Sequence, residues 1–342
     1  MVFGRMRFGA ALLALGLSLA SAPTQADEPS ERIVAVRGDV EQMFMDGRTD
    51  ELDAVADDYR ASRARVEGGY WALSQFYDWL TPFAGSGCGC APDISKVTFD
   101  DKRKAIEAWL ERRPHSLTAR IALADLWDSR AWQLRGVGYA KDTSEAAWRG
   151  FREALARAEE TLAPIEETAD PMVYFLEMDI AVPSDDPRAR LQSLYGRASA
   201  TFPTFPAYQT QYYNYMLERW FGRRGEAAAF AASLLTNPGG DQGKIDYVMV
   251  AETAATASAG VDDVMKWSGI DYNALIAAYA ARQRAVGLTH RDWNVLLFYS
   301  VAVRDKKGAN FALDHIAGNW DRGVFRTQAL IDWVMGWSQS WL

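Results

Sequence analysis

Residues 119–140 read ARIALADLWDSRAWQLRGVGYA. Ile121, Leu123, Ala124, Trp127 and Ala131 recur at helical steps, and no alternation of apolar and polar residues runs through them. Pro114 and Ser116 stand ahead of the stretch, and the GVGYAKD turn at 136–142 follows it. The reading is a long helix bounded on both sides. Phe151, Leu155, Ala158 and Leu162 then mark a second helix with one buried stripe.

The same grammar extends in both directions. Asp50–Arg65 and Tyr70–Leu80 carry helical spacing on either side of Gly68-Gly69. Thr98 opens a helix with Asp101 in the capping-box position. Later helices are expected near 171–181, 187–200, 206–221, 225–236, 243–258, 261–267, 271–286, 290–304, 308–320 and 324–338. No β-branched alternation or Asn-Gly hairpin signal appears. The expectation is an all-α chain, an array of antiparallel helical hairpins forming a degenerate tetratricopeptide-like solenoid or a compact helical superhelix. A 34-residue frame can be laid from Leu117, and from His290 with Ala309, Leu313 and Ile316 at its small or apolar positions. A third frame through Tyr212 and Tyr215 is weaker.

The chain has 342 residues, 49 % hydrophobic and 24 % charged, which excludes a disordered class. Arg5 and Arg7, an apolar run from Ala10 to Ala20, and the small residues before Ala26 have the layout of a secretory signal peptide. Residues 1–26 are expected to be removed, with cleavage after Ala26, leaving 27–342 as one all-helical domain with a weak subdivision near 165–205. The compartment is then periplasmic or secreted, and the arginine-leaning usage suits a bacterial protein. A formal net charge of −8 argues against a nucleic-acid partner. No later stretch reads as a stable membrane span.

The stretches 51–80 (ELDAVADDYRASRARVEGGYWALSQFYDWL) and 119–140 together resemble a bacterial family of exported helical-repeat proteins that carries only a domain-of-unknown-function label. The resemblance implies a tetratricopeptide-like fold. It implies no activity and no functional residues to transfer.

Candidate chemistry is sparse. Cys88 and Cys90, the only two cysteines, sit in GSGCGCAPD (85–93). In an oxidising compartment a disulfide constraining this loop is the expectation, with unbridged thiols and redox or metal work as the alternatives. His115, His290 and His315 have no paired metal-ligand spacing, so neither metal nor cofactor is expected. The run GGDQGK (239–244) lacks the first glycine and the Ser/Thr of a phosphate loop and reads as a turn. Acidic pairs such as Asp57-Asp58, Asp100-Asp101 and Asp185-Asp186 read as solvated or helix-start residues.

Aromatics are the compositional outlier, with 13 Trp, 14 Tyr and 15 Phe. They concentrate in 202–221. At helical spacing such rings chiefly fill gaps between hairpins, but Tyr212, Tyr213, Tyr215 and Trp220 cannot all face one way, so at least one is expected to be exposed and these four form the candidate binding surface. The functional expectation is an exported, non-catalytic binding or scaffolding module whose groove takes a protein or peptide partner. The alternatives are a cell-envelope enzyme acting on cell-wall glycan or using Cys88/Cys90, and self-assembly through the Trp-rich segment 333–342.

Overall fold

The structure, a computed structural model, describes residues 39–86, 95–136, 138, 140–237, 239–258 and 260–340. Cys88 and Cys90 and the leader segment lie outside the described residues. These contain no strand; one isolated bridge pairs Arg65 with Trp71.

Helix α1 (Thr49–Ser62) stops where Arg63 turns left-handed at φ 50°, and a 3-10 turn at Glu67–Gly69 leads to α2 (Ala72–Leu80). Thr98 caps α3 (Phe99–Arg112), Ser116 caps α4 (Leu117–Arg135) and Ser144 caps α5 (Glu145–Leu162); each side-chain oxygen accepts from the third backbone N–H of its helix. Asp170, accepting from the second N–H at Met172, and Asp186, accepting from the third at Ala189, cap ahead of Pro171 and Pro187, opening α6 (Pro171–Ile180) and α7 (Pro187–Thr201). After α8 (Pro206–Tyr215) come α9 (Glu226–Leu234), α10 (Gly240–Ala257), α11 (Val261–Trp267) and α12 (Tyr272–Val286). The capping box of Thr289 and Asp292 opens α13 (His290–Ala302), Asp305 caps α14 (Lys306–Ile316) and Thr327 caps α15 (Gln328–Gln339).

The chain is therefore all-α, and its packing is dominated by hairpins of neighbouring helices, α4 on α5 and α13 on α14 above all. The α13–α14 hairpin keeps the expected small-residue positions: Ala309 and Ile316 are buried and Leu313 packs against the core. The α4–α5 hairpin is longer than a 34-residue unit, because α4 runs unbroken to Gly136 before the 136–142 spacer. One apolar core extends from Val40 to Val334.

Two local differences from the sequence expectation matter for the site. The run 239–244 enters α10 directly, with Gly243 against the Leu234 carbonyl, where a Cβ would meet that oxygen at 2.0 Å. The helix expected over 206–221 ends at Tyr215. The chain then curls back on itself, Phe221 N–H donating to the Tyr215 carbonyl at 3.1 Å.

Candidate functional site

Of the four aromatic residues expected to form a surface, three are core. Tyr212, Tyr213 and Tyr215 are buried, and Trp220 is half-buried. The reason lies in the packing of α6, α7, α9 and α10 around α8, which leaves only its Ala207, Thr210, Gln211 and Asn214 side part-exposed. Tyr212 stacks on Tyr195 at 4.3 Å and meets Phe230 edge-on. The Tyr213 hydroxyl donates to the Ser268 carbonyl at 2.9 Å. Trp220 sets its edge against Tyr215 and Trp132.

Folding instead gathers acids that the sequence reading passed over. Asp125 and Asp128 project from α4 and Asp179 from α6, all buried. Asp179 accepts from the Trp132 indole at 3.0 Å, from the Tyr215 hydroxyl and from the Gln211 amide. Burial raises both carboxyls of the Asp128–Asp179 pair, and the negative charge of Asp179 pushes Asp128 further up. The three donors that converge on Asp179 favour the charge there and leave Asp128 the better holder of a proton. Burial also pushes Asp125 up to about 6, against a hydrogen bond from Thr81. Every donor around Asp179 comes from the protein itself, so its lone pairs are engaged in joining α4, α6 and α8. The sequence signal was present: Asp179 is the charge inside the otherwise apolar run MDIAV.

Two further buried charge centres are also structural. Arg60 donates to Asp170 at 2.5 Å, to the Tyr77 hydroxyl at 2.7 Å and to Thr118 at 3.0 Å, tying α1 to the start of α6. Arg282, fully buried, lies 3.0 Å from Glu252 and 3.2 Å from Asp292, while the Tyr70 hydroxyl donates to Glu252 at 2.5 Å. Gly68, at φ +75°, lets the 67–69 turn close over this guanidinium; a Cβ there would stand 2.7 Å from an Arg282 nitrogen.

An open site lies where α8 stops. The 216–225 segment faces the C-terminus of α10 and α11 across a cleft of about 330 Å³. Met216, Leu217, Ala227, Ala257 and Trp267 give it an apolar floor, and Glu218, Arg219, Arg223 and Asp263 a rim of both signs. Gly222 makes the curl possible, since a Cβ there would sit 1.8 Å from the Met216 carbonyl oxygen. Arg219 is held by the Ala257 carbonyl and the Asn214 amide oxygen, each at 2.9 Å, and Lys266 pairs with Asp263 at 2.7 Å. Arg223 and Glu218 are exposed. Two other hollows, of about 340 and 550 Å³, lie by α1 and the α3–α4 turn. Their walls are ion pairs already made, Arg113 with Asp50 and Asp53 and Arg48 with Glu51.

The histidines are dispersed. His115 is exposed, His290 bonds the Asn319 carbonyl, and His315 stacks on Trp293 at 3.9 Å. Among the described residues no group of three or more His, Cys, Asp or Glu could hold a metal ion.

Residues 37–173 match the model of the family described as Domain of unknown function (DUF4034). The matched segment contains both stretches, 51–80 and 119–140, that carried the resemblance in sequence. It spans less than half of the chain, from the helical turn before α1 into the first residues of α6. The cleft, built from residues after 215, lies beyond it. No curated protein and no solved structure matches the chain.

Proposed function

We propose that this chain is an exported, non-catalytic binding or scaffolding module for a protein or peptide, and that the cleft between the 216–225 segment and α11 receives the partner. The observation that carries the reading is the cleft's composition. An apolar floor buries side chains, and a rim with both Arg223 and Glu218 suits a chain of mixed charge. Phosphate or nucleic acid would call for a rim of one sign. About 330 Å³ holds one or two side chains of a peptide, not a whole folded partner, so a protruding or extended segment is the ligand. The α13–α14 hairpin, with its small-residue spacing, supports a relation to tetratricopeptide arrays, which bind such segments on their faces. Export rests on the three-part leader at 1–26.

Selection of a displayed random-peptide library against the chain tests this. Enriched peptides should share an apolar anchor. Trp267→Ala and Arg223→Glu should each weaken them by about tenfold, as loss of a Trp or Arg anchor does at peptide interfaces. Arg157→Glu, on the outer face of α5, should leave binding unchanged. Peptides that bind all three variants as well as the parent would remove the cleft from the account.

A further inference from the structure

The last helix presents a surface that the cleft does not explain. Only Ile331 and Val334 of α15 are buried. Trp333 and Met335 are 41 % and 37 % exposed, among the few large apolar side chains so placed. Trp333 and Trp337, four residues apart, lie on one flank with their rings near-parallel at 17° and 6.5 Å between centroids. A cation covers each: Arg304 stands 5.3 Å from the Trp333 ring and Lys306 5.7 Å from the Trp337 ring. Lys307, the next residue of α14, is exposed.

The acids nearby are disposed unevenly. Asp305 turns inward, accepting from the Tyr272 hydroxyl at 2.8 Å and capping α14 through Gly308 N–H at 3.0 Å. Asp262 pairs with Arg304 at 2.7 Å, and Asp332 accepts from Gln328 at 2.9 Å on the adjoining side of α15. Asp262 thus offsets Arg304, and the cations of this flank without an acid partner are Lys306, whose ammonium donates to the Ser340 hydroxyl at 3.1 Å, and the exposed Lys307, on a chain whose formal net charge is −8.

We propose that this flank of α15, with Lys306 and Lys307 of α14, docks on an anionic lipid surface. The indoles stand on a helix of which only two residues are buried, so they are open to a plane laid along it. Indole is the side chain suited to the headgroup boundary, being apolar in body and polar at one edge. Lys and Arg stems lie along apolar surface while their heads reach lipid phosphates. Among the described residues no helix is long and apolar enough to cross a membrane, so the contact is peripheral.

Hydrogen exchange of the full chain, with and without vesicles, reads the contact locally and independently of residues 1–26. Phosphatidylglycerol-containing vesicles should slow exchange in 328–339, and phosphatidylcholine vesicles should not. Trp333→Ser/Trp337→Ser should abolish that protection while leaving the circular dichroism spectrum unchanged. Lys306→Glu and Lys307→Glu should each raise the lipid concentration needed for half-protection by about fivefold or more. Equal protection by both vesicle types, or none, overturns the proposal. So does protection by poly-glutamate in place of lipid, which would assign the flank to an acidic protein, or protection that rises with protein concentration alone, which would assign it to a second copy.

Discussion

A methyl group added at Gly222 would stand 1.8 Å from the Met216 carbonyl oxygen, a backbone atom that cannot swing aside. Gly222→Ala should therefore destabilise the chain by about 1–3 kcal/mol and open the 216–225 curl. Peptide binding should fall with it, and a urea titration beside a binding curve separates the two effects. At the buried acid pair, the two partners should respond in opposite ways. Asp128→Asn replaces a carboxyl O–H with an amide N–H that can still donate to Asp179, and it needs no proton on folding, so at pH 7 the variant should be at least as stable as the parent. Asp179→Asn strips the charge from the acceptor of Trp132, Tyr215 and Gln211 and should cost about 3 kcal/mol. Equal losses in the two variants would mean that the proton is not on Asp128.

At the level of elements, Asp170 joins two jobs that sequence inspection would separate. Its Oδ1 accepts from Met172 N–H at 2.8 Å and caps α6, while Oδ2 receives the Arg60 guanidinium from α1. Asp170→Ala should cost about 3–5 kcal/mol by denaturant unfolding, because it leaves a buried guanidinium short of a partner. Thr98→Ala, which removes an exposed cap on α3, should cost about 1 kcal/mol. Most helix starts were legible because caps and prolines are local chemistry. The Thr98, Ser116 and Thr289 starts stand where their residues announce them. The end of α8 was not legible. Residues 216–221 keep helical spacing, yet the helix stops at Tyr215 and the chain curls until Gly222 lies against a carbonyl six residues back.

Over the whole molecule the buried carboxyls set the pH response. Burial pushes Asp125 up to about 6 and Asp246 up to about 7, and raises Asp128 as well. Each binds its proton more tightly folded than unfolded, where an Asp titrates near 4. Their contribution to stability is greatest below about pH 4 and is lost as pH rises through the folded values, at about 1.4 kcal/mol per unit for each group. The urea midpoint should thus be higher at pH 5 than at pH 8. Asp128→Asn should flatten part of that slope, and a midpoint that climbs with pH would contradict the placement of these protons.

Periodicity, caps and breakers were enough for the all-α class and for most helix boundaries, because a helix is decided by neighbours within a few residues. The same local rules assigned four clustered aromatic residues to a surface, and three of them are core. Whether Tyr212, Tyr213 or Tyr215 meets water depends on α6, α7, α9 and α10 closing around α8, which no spacing within α8 encodes. The cleft, the acid pair and the Arg282 centre likewise join residues far apart in the chain. Packing alone chose which carboxylates lost their water and which apolar residues kept an opening beside them.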